Sequence, residues 1–115
     1  MKSHFRKVYA PHPSPKYKTE PMNDLGQEIV YVCGSPMYDT IIDREDLFED
    51  KVADMLVDFD PAADVVIDHG DPMVFAMIMY HIGAYGHDSV YVGRYSRNND
   101  SYVVRKFCYP MNNMQ

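Results

Sequence analysis

The sequence predicts an α/β domain with a small three-layer β-α-β-α-β-β fold, built on a mostly parallel sheet. Two observations predict it. Short runs rich in β-branched residues alternate with longer segments in which apolar residues recur at helical spacing. The last two β-like runs, residues 89–95 and 101–108, flank the turn Asn98-Asn99-Asp100, which predicts a C-terminal antiparallel hairpin. Right-handed crossovers would make the first three strands parallel.

An extended proline-rich arm is expected to precede the domain. Residues 1–25 contain Pro11, Pro13, Pro15 and Pro21. Proline has no backbone N–H and a fixed φ, so this spacing disfavours both helices and central strands. Residues 26–110 are expected to form a single α/β domain, since a chain of this size buries a sizeable core. Residues 111–115 are expected to be a frayed tail.

The first strand and helix follow the arm in the predicted order. The strand is expected at residues 27–33, where a continuous apolar run ends at the breaker Gly34-Ser35-Pro36. The helix is expected at residues 44–57, because Asp43 can cap it and apolar residues recur every three or four positions.

The second strand and helix come next. The strand is expected at residues 64–68. The helix begins at Pro72, runs to about Tyr85 and is apolar nearly all round, which predicts that it is buried.

Charge is unevenly distributed along the chain, which has a net charge of −6. Residues 21–72 carry fourteen acidic and two basic side chains, whereas residues 1–20 are basic. This acidic middle argues against non-specific nucleic-acid binding. The longest apolar run, Met73 to Tyr80, is too short to span a bilayer, and two cysteines do not make a disulfide framework. We therefore expect a cytoplasmic protein without membrane contact.

A strand-to-helix turn, Asp68-His69-Gly70-Asp71, is the strongest candidate for small-molecule chemistry. If the strands are parallel, this turn and Gly34-Ser35 open at the same end of the sheet, where ligands usually bind. The catalytic candidates are Asp68, His69 and Asp71, and the ligand-binding candidates are Gly34, Ser35, Asp68 and Gly70. The alternative is structural, because such turns need capping residues and a glycine. No metal or cofactor is expected, since the chain lacks HxxxH and CxxC spacings.

Arginine and tyrosine in the hairpin suggest a protein interface, because both residue types are enriched in interface hot spots. Charged residues of the first helix and aromatic residues of the arm would extend this surface. The candidates are Tyr9, Tyr17, Glu45, Asp46, Glu49, Tyr91, Arg94, Tyr95 and Arg97. The alternative is that the tyrosines suit half-buried strands and the arginines keep the sheet edge soluble.

Two resemblances bear on function. Residues 29–36, with the turn Gly34-Ser35, resemble the opening of Rossmann-like enzymes that handle nucleotides, but lack their glycine-rich motifs. The short, acidic, Met- and Tyr-rich chain with its proline arm resembles small accessory proteins of bacteriophages. The leading hypothesis is a non-enzymatic protein-binding modulator of a host protein. The alternative is a small Rossmann-like enzyme or sensor that binds a nucleotide-like ligand at the strand ends.

Overall fold

The computed structural model describes residues 4–13, 19–33, 45–68 and 70–110, and for residues 45–48 it describes the backbone alone. The helices and strands in these ranges are β1 (Phe5–Ala10), α1 (Glu20–Leu25), β2 (Gly26–Tyr31), α2 (Glu45–Met55), β3 (Asp64–Ile67), α3 (Pro72–Ala84), β4 (Ser89–Ser96) and β5 (Ser101–Cys108). None of the helices in these ranges has the length and apolar character needed to cross a bilayer.

The described strands form one sheet in the order β2-β1-β3-β4-β5. β1, β2, β3 and β4 are parallel to one another, and β5 is antiparallel to β4. The mostly parallel sheet and the C-terminal hairpin predicted from the sequence are therefore confirmed. In the hairpin, Arg94 lies opposite Val103 and Val92 lies opposite Arg105, so these four side chains share one face of the sheet.

The N-terminal segment differs from its prediction. Residues 5–10 belong to a strand inside the sheet, between β2 and β3, and residues 20–25 form a helix, so neither stretch is an extended arm. The prolines lie at the ends of these elements and do not prevent them from forming. Pro11 follows the last residue of β1, and Pro21 lies in the first turn of α1, where its missing N–H removes no helical hydrogen bond.

Helices cover both faces of the sheet, which gives the three layers that the sequence predicts. On one face, α2 and α3 pack against strand residues that include Tyr9, Val66 and Val92. On the other face, α1 contributes Met22 and Leu25, which pack against Val8, Val65 and Ile67. The central strands β1 and β3 supply residues to both core clusters, because successive side chains of a strand point to opposite faces.

The α3 helix is less buried than its sequence predicts. Val74, Ile78 and Ile82 are fully buried against the sheet. The opposite side of the helix is in water, where Met73 is 57% exposed and Tyr80 is 63% exposed. The prediction of burial all round is therefore wrong, because α3 belongs to the outer layer and only its inner side meets the core.

An ion pair between the half-exposed Arg6 and the buried Asp64 holds β1 beside the start of β3. The Asp64 carboxylate is fully buried and accepts hydrogen bonds from Arg6 Nε at 3.0 Å and Arg6 Nη2 at 2.7 Å. It also accepts from the backbone amides of Lys7 at 3.1 Å and Asp60 at 2.8 Å. The hydrogen bond to this carboxylate raises the pKa of the Arg6 guanidinium. These four bonds satisfy the buried charge and fix the register of the two strands.

Candidate functional site

The crevice between β1 and β3 is the first place to look for a ligand. The chain leaves β1 towards β2 on one side and leaves β3 towards β4 on the other, which creates a topological switch point at the carboxyl ends of the strands. His12 follows β1, and its ring is almost fully buried. Its Nε2 accepts a hydrogen bond from the Asp71 amide at 2.9 Å, and its Nδ1 lies 2.9 Å from the Pro13 carbonyl oxygen.

This arrangement places a buried imidazole at the crevice. Because Nε2 accepts a hydrogen bond and Nδ1 faces a carbonyl, the ring is assigned as the neutral tautomer that carries its proton on Nδ1. A Cβ atom added to Gly70 would lie 2.8 Å from His12 Nε2, so the glycine allows the close approach. Its φ of +91° is also in the left-handed region that favours glycine.

The residues of the predicted turn have structural partners here. The Asp71 side chain caps α3, since its Oδ1 accepts a hydrogen bond from the Met73 amide at 2.8 Å. The Asp68 amide donates to the Gly93 carbonyl at 2.9 Å, and the Asp68 side chain is half-buried. His69, Gly34 and Ser35 lie outside the described residues, so their predicted roles remain predictions.

A groove lies over β4 and β5, beside the carboxyl end of β3. This hairpin groove has a volume of about 580 Å³. It is lined by Asp68, Phe75, Val92, Arg94, Tyr95, Ser96, Val103, Arg105 and Phe107. Asp68 comes from the end of β3 and Phe75 from the first turns of α3, so the groove runs from the carboxyl edge of the parallel strands onto the open face of the hairpin.

The groove is open because a tight turn joins β4 to β5. In parallel α/β units a crossover helix usually follows a strand and covers its neighbour, but here residues 97–100 form a turn. Among the described residues, no helix packs over β5 on the α3 side of the sheet. Val103 is therefore 47% exposed and Phe107 is 50% exposed, although both point to the same face as the buried Val90 and Val92.

The turn itself is ordered by a side-chain contact. Asp100 has a φ of +50°, which aspartate tolerates better than most residues. The Tyr95 hydroxyl donates a hydrogen bond to the Asp100 carboxylate. This hydrogen bond raises the pKa of Tyr95, because it stabilises the neutral phenol and the nearby negative charge opposes ionisation.

Two guanidinium groups lie together in the groove. Arg94 and Arg105 are both exposed and occupy diagonal positions on the paired strands, where residues are about 7–8 Å apart and their Cβ atoms somewhat closer. Within the part of the chain that the structure describes, neither has a hydrogen-bond or ion-pair partner. The interface candidates named from the sequence include Arg94 but not Arg105. The strand register, in which Arg105 lies opposite Val92, was the missing information.

The other predicted interface residues are dispersed. Tyr9 is buried, with its ring 5.4 Å from that of Phe59, so its place on a surface is corrected: it is a core residue because β1 is an inner strand. Tyr91 lies on the opposite face of the hairpin, under the Lys106 ammonium at 5.8 Å. Arg97 is exposed in the turn. Tyr17 and the side chains of Glu45 and Asp46 lie outside the described residues.

A second, smaller groove separates α2 from α3. It has a volume of about 370 Å³ and is lined by Glu49, Met73, Ala76, Met77 and Tyr80. The Glu49 carboxylate is half-exposed and lies 3.7 Å from His81 Nε2. Sequence reasoning proposed Glu49 as an interface residue, and the apolar side chains of α3 now lie beside it.

Reactive and metal-ligating side chains are not clustered in the described ranges. In those ranges, no group of three or more His, Cys, Asp and Glu side chains could hold a metal ion. Burial raises the pKa of the Cys33 thiol, which favours the protonated and less nucleophilic form. Comparisons of the chain with protein-family models, with curated proteins and with solved structures find no match.

Proposed function

We propose that the protein is a protein-binding module and that the hairpin groove is its interface. The observation that supports this proposal most directly is the pair of guanidiniums of Arg94 and Arg105, which have no hydrogen-bond or ion-pair partner among the described residues and lie on the same sheet face as the half-exposed side chains of Val103 and Phe107. Arginine and aromatic residues supply most of the binding energy in protein interfaces when a partner removes them from water. This combination favours a protein partner with both acidic and apolar groups.

The magnitudes are those of an ordinary interface. Fully burying a Val or Phe side chain contributes roughly 1.5–3 kcal/mol, so covering the exposed half of Val103 and Phe107 contributes about 1 kcal/mol each. A hydrogen bond to a charged group contributes roughly 1.5–3 kcal/mol when its partner is well placed. The two guanidiniums therefore dominate the expected affinity, and they set the requirement for acidic groups on the partner.

The experiment compares the full chain with the variant Arg94→Glu/Arg105→Glu as immobilised baits in a bacterial lysate. A retained protein is identified, purified and titrated against both chains. We expect the double charge reversal to raise the dissociation constant by at least about 100-fold. Arg97→Glu is the matched control, because Arg97 is exposed on the same hairpin but outside the groove.

The result that contradicts this proposal is equally definite. If a partner binds the Arg94→Glu/Arg105→Glu variant and the parent chain with equal affinity, the hairpin groove is not the interface. Far-ultraviolet circular dichroism of both chains checks that the fold is unchanged. A modulator of a host enzyme would in addition change the activity of the retained partner when the two are mixed at stoichiometric ratio.

A second candidate function is supported by the position of the groove. It reaches Asp68 at the carboxyl end of β3 and Phe75 near the start of α3, where ligands of α/β proteins bind. A small anionic ligand of nucleotide-like chemistry could then contact Arg94 and Arg105. Thermal-shift measurements with nucleotides and sugar phosphates test this candidate. A rise in Tm that Arg94→Glu/Arg105→Glu abolishes would favour a small-molecule site over a protein interface.

A further inference from the structure

We infer that the hairpin groove receives an amphipathic helix of the partner that carries two acidic residues one helical turn apart. This inference rests on the proposed protein-binding function and specifies the shape and charge of what is bound. It follows from three features of the groove: the place of the hairpin in the layered fold, the spacing of its two guanidiniums, and the apolar side chains around them.

The first feature is the part of the sheet over β5 that none of the described helices covers on the α3 side. On this face of the sheet, α2 and α3 cover the core cluster that reaches across β1, β3 and β4. The groove begins beside Phe75 of α3 and extends over Val103 and Phe107 of β5. A helix laid next to α3 would continue the layer, because helices pack at 8–10 Å spacing and prefer an apolar sheet face. A partner helix would thus occupy the place of a crossover helix.

The second feature is the spacing of charge. Arg94 and Arg105 are diagonal neighbours about 7–8 Å apart, with their Cβ atoms somewhat closer. Acidic side chains at positions i and i+4 of a helix have Cβ atoms about 5–6 Å apart on one face. The long arginine side chains easily span the difference, so each guanidinium can take one carboxylate in a bidentate hydrogen bond. The two neighbouring positive charges also repel each other, and a pair of carboxylates from a partner would relieve this repulsion.

The third feature decides between a helix and a strand as the occupant. An extended peptide added to the free edge of β5 would pair with backbone groups but would leave the face with Arg94, Val103 and Arg105 in water. A helix covers that face directly and removes the exposed parts of Val103 and Phe107 from water. Arg94 and Arg105 lie on this exposed face and not at the strand edge, so a helix would contact more of the charged and apolar groups of the groove than a strand would.

The test uses two displayed peptide libraries and the full chain. One library is a stable single-helix scaffold with randomised residues on one face, and the other consists of linear peptides of equal length with proline at every third position. Each is selected against the parent chain and counter-selected against Arg94→Glu/Arg105→Glu. We expect the helical library to enrich sequences with apolar residues and an Asp or Glu pair at i and i+4. Their binding should weaken roughly 10- to 100-fold in each single variant, Arg94→Gln and Arg105→Gln.

The outcomes separate this inference from the proposed function. If only linear peptides are enriched and their binding depends on the two arginines, the groove is a protein interface but its occupant is not a helix. If enriched helices lack acidic pairs or bind Arg94→Gln and Arg105→Gln as tightly as the parent chain, the charge argument is wrong. If neither library yields a binder that depends on the arginines, both the inference and the proposed function fail. Arg97→Gln, the control variant, should bind every selected peptide as tightly as the parent chain does.

Discussion

Replacing Asp64 with asparagine tests whether β1 is held in the sheet as the structure shows. The carboxylate accepts four hydrogen bonds, two on each oxygen, and it is fully buried. An asparagine side chain keeps one acceptor oxygen and turns an NH2 group towards the two remaining donors. Two hydrogen bonds to a charged group are lost at roughly 1.5–3 kcal/mol each, so the free energy of unfolding should fall by about 3–6 kcal/mol.

Urea unfolding followed by circular dichroism and tyrosine fluorescence measures this change. The chain has 10 tyrosines and no tryptophan, so tyrosine is its fluorescent probe. With a urea m value of about 2 kcal/mol per molar, the midpoint for Asp64→Asn should fall by roughly 2 M. Asp54→Asn is the control, because Asp54 is exposed on α2 and its replacement should change stability by less than about 0.5 kcal/mol.

A small effect would refute the reasoning. If the free energy of unfolding of Asp64→Asn falls by less than about 1 kcal/mol, the Arg6–Asp64 ion pair does not anchor β1, and residues 5–10 do not form the inner strand described here. The variant Arg6→Met extends the test, because it leaves the carboxylate with only its two backbone donors. In a double-mutant cycle, Arg6→Met and Asp64→Asn should show a coupling energy of about 1–3 kcal/mol.

Three further predictions concern the core and the switch-point crevice. Burial raises the pKa of Tyr9 to about 12, whereas a tyrosine in the unfolded chain ionises near pH 10. The free energy of unfolding should therefore fall by about 1.4 kcal/mol per pH unit between pH 10 and about 12. Urea titrations should show this slope, and Tyr9→Phe should flatten it. Gly70→Ala should lower the free energy of unfolding by about 1–3 kcal/mol more than Gly86→Ala, because both glycines have a positive φ but only Gly70 lies against His12. Equal decreases in the two variants would contradict this packing. Asp71→Ala removes the cap of α3 and should lower stability by about 1 kcal/mol in the same assay, and no change would show that the cap is dispensable.

The elements that the sequence predicts correctly have strong local signals. The α3 helix has a proline in its first turn and a capping aspartate, and the β4–β5 hairpin has alternating side chains around a polar turn. The six residues of β1 carry no such signal. Their strand pairs on both sides with partners that come later in the chain, and this tertiary pairing overrides the neighbouring prolines, which any local rule reads as an arm.

The candidate site shows the same division between local and non-local information. Arg94 was identified because arginine next to tyrosine in a hairpin is a local pattern. Its juxtaposition with Arg105 and Phe107 depends on the register of β4 and β5, which fixes the shared face. The filling of the switch-point crevice by His12 depends on β1 lying beside β3. No spacing within the chain reveals that neighbourhood.

The inner position of β1 also affects how the chain folds during synthesis. Arg6 and its partner Asp64 are 58 residues apart in sequence. At translation rates of about 5–20 residues per second, β1 waits roughly 3–12 s before β3 leaves the ribosome. During that interval β1 can pair only with β2, and its other edge offers unpaired amides and carbonyls. Chaperone capture at this stage, or a bulky fusion placed just before Phe5, would therefore act on the nascent chain before the finished sheet exists.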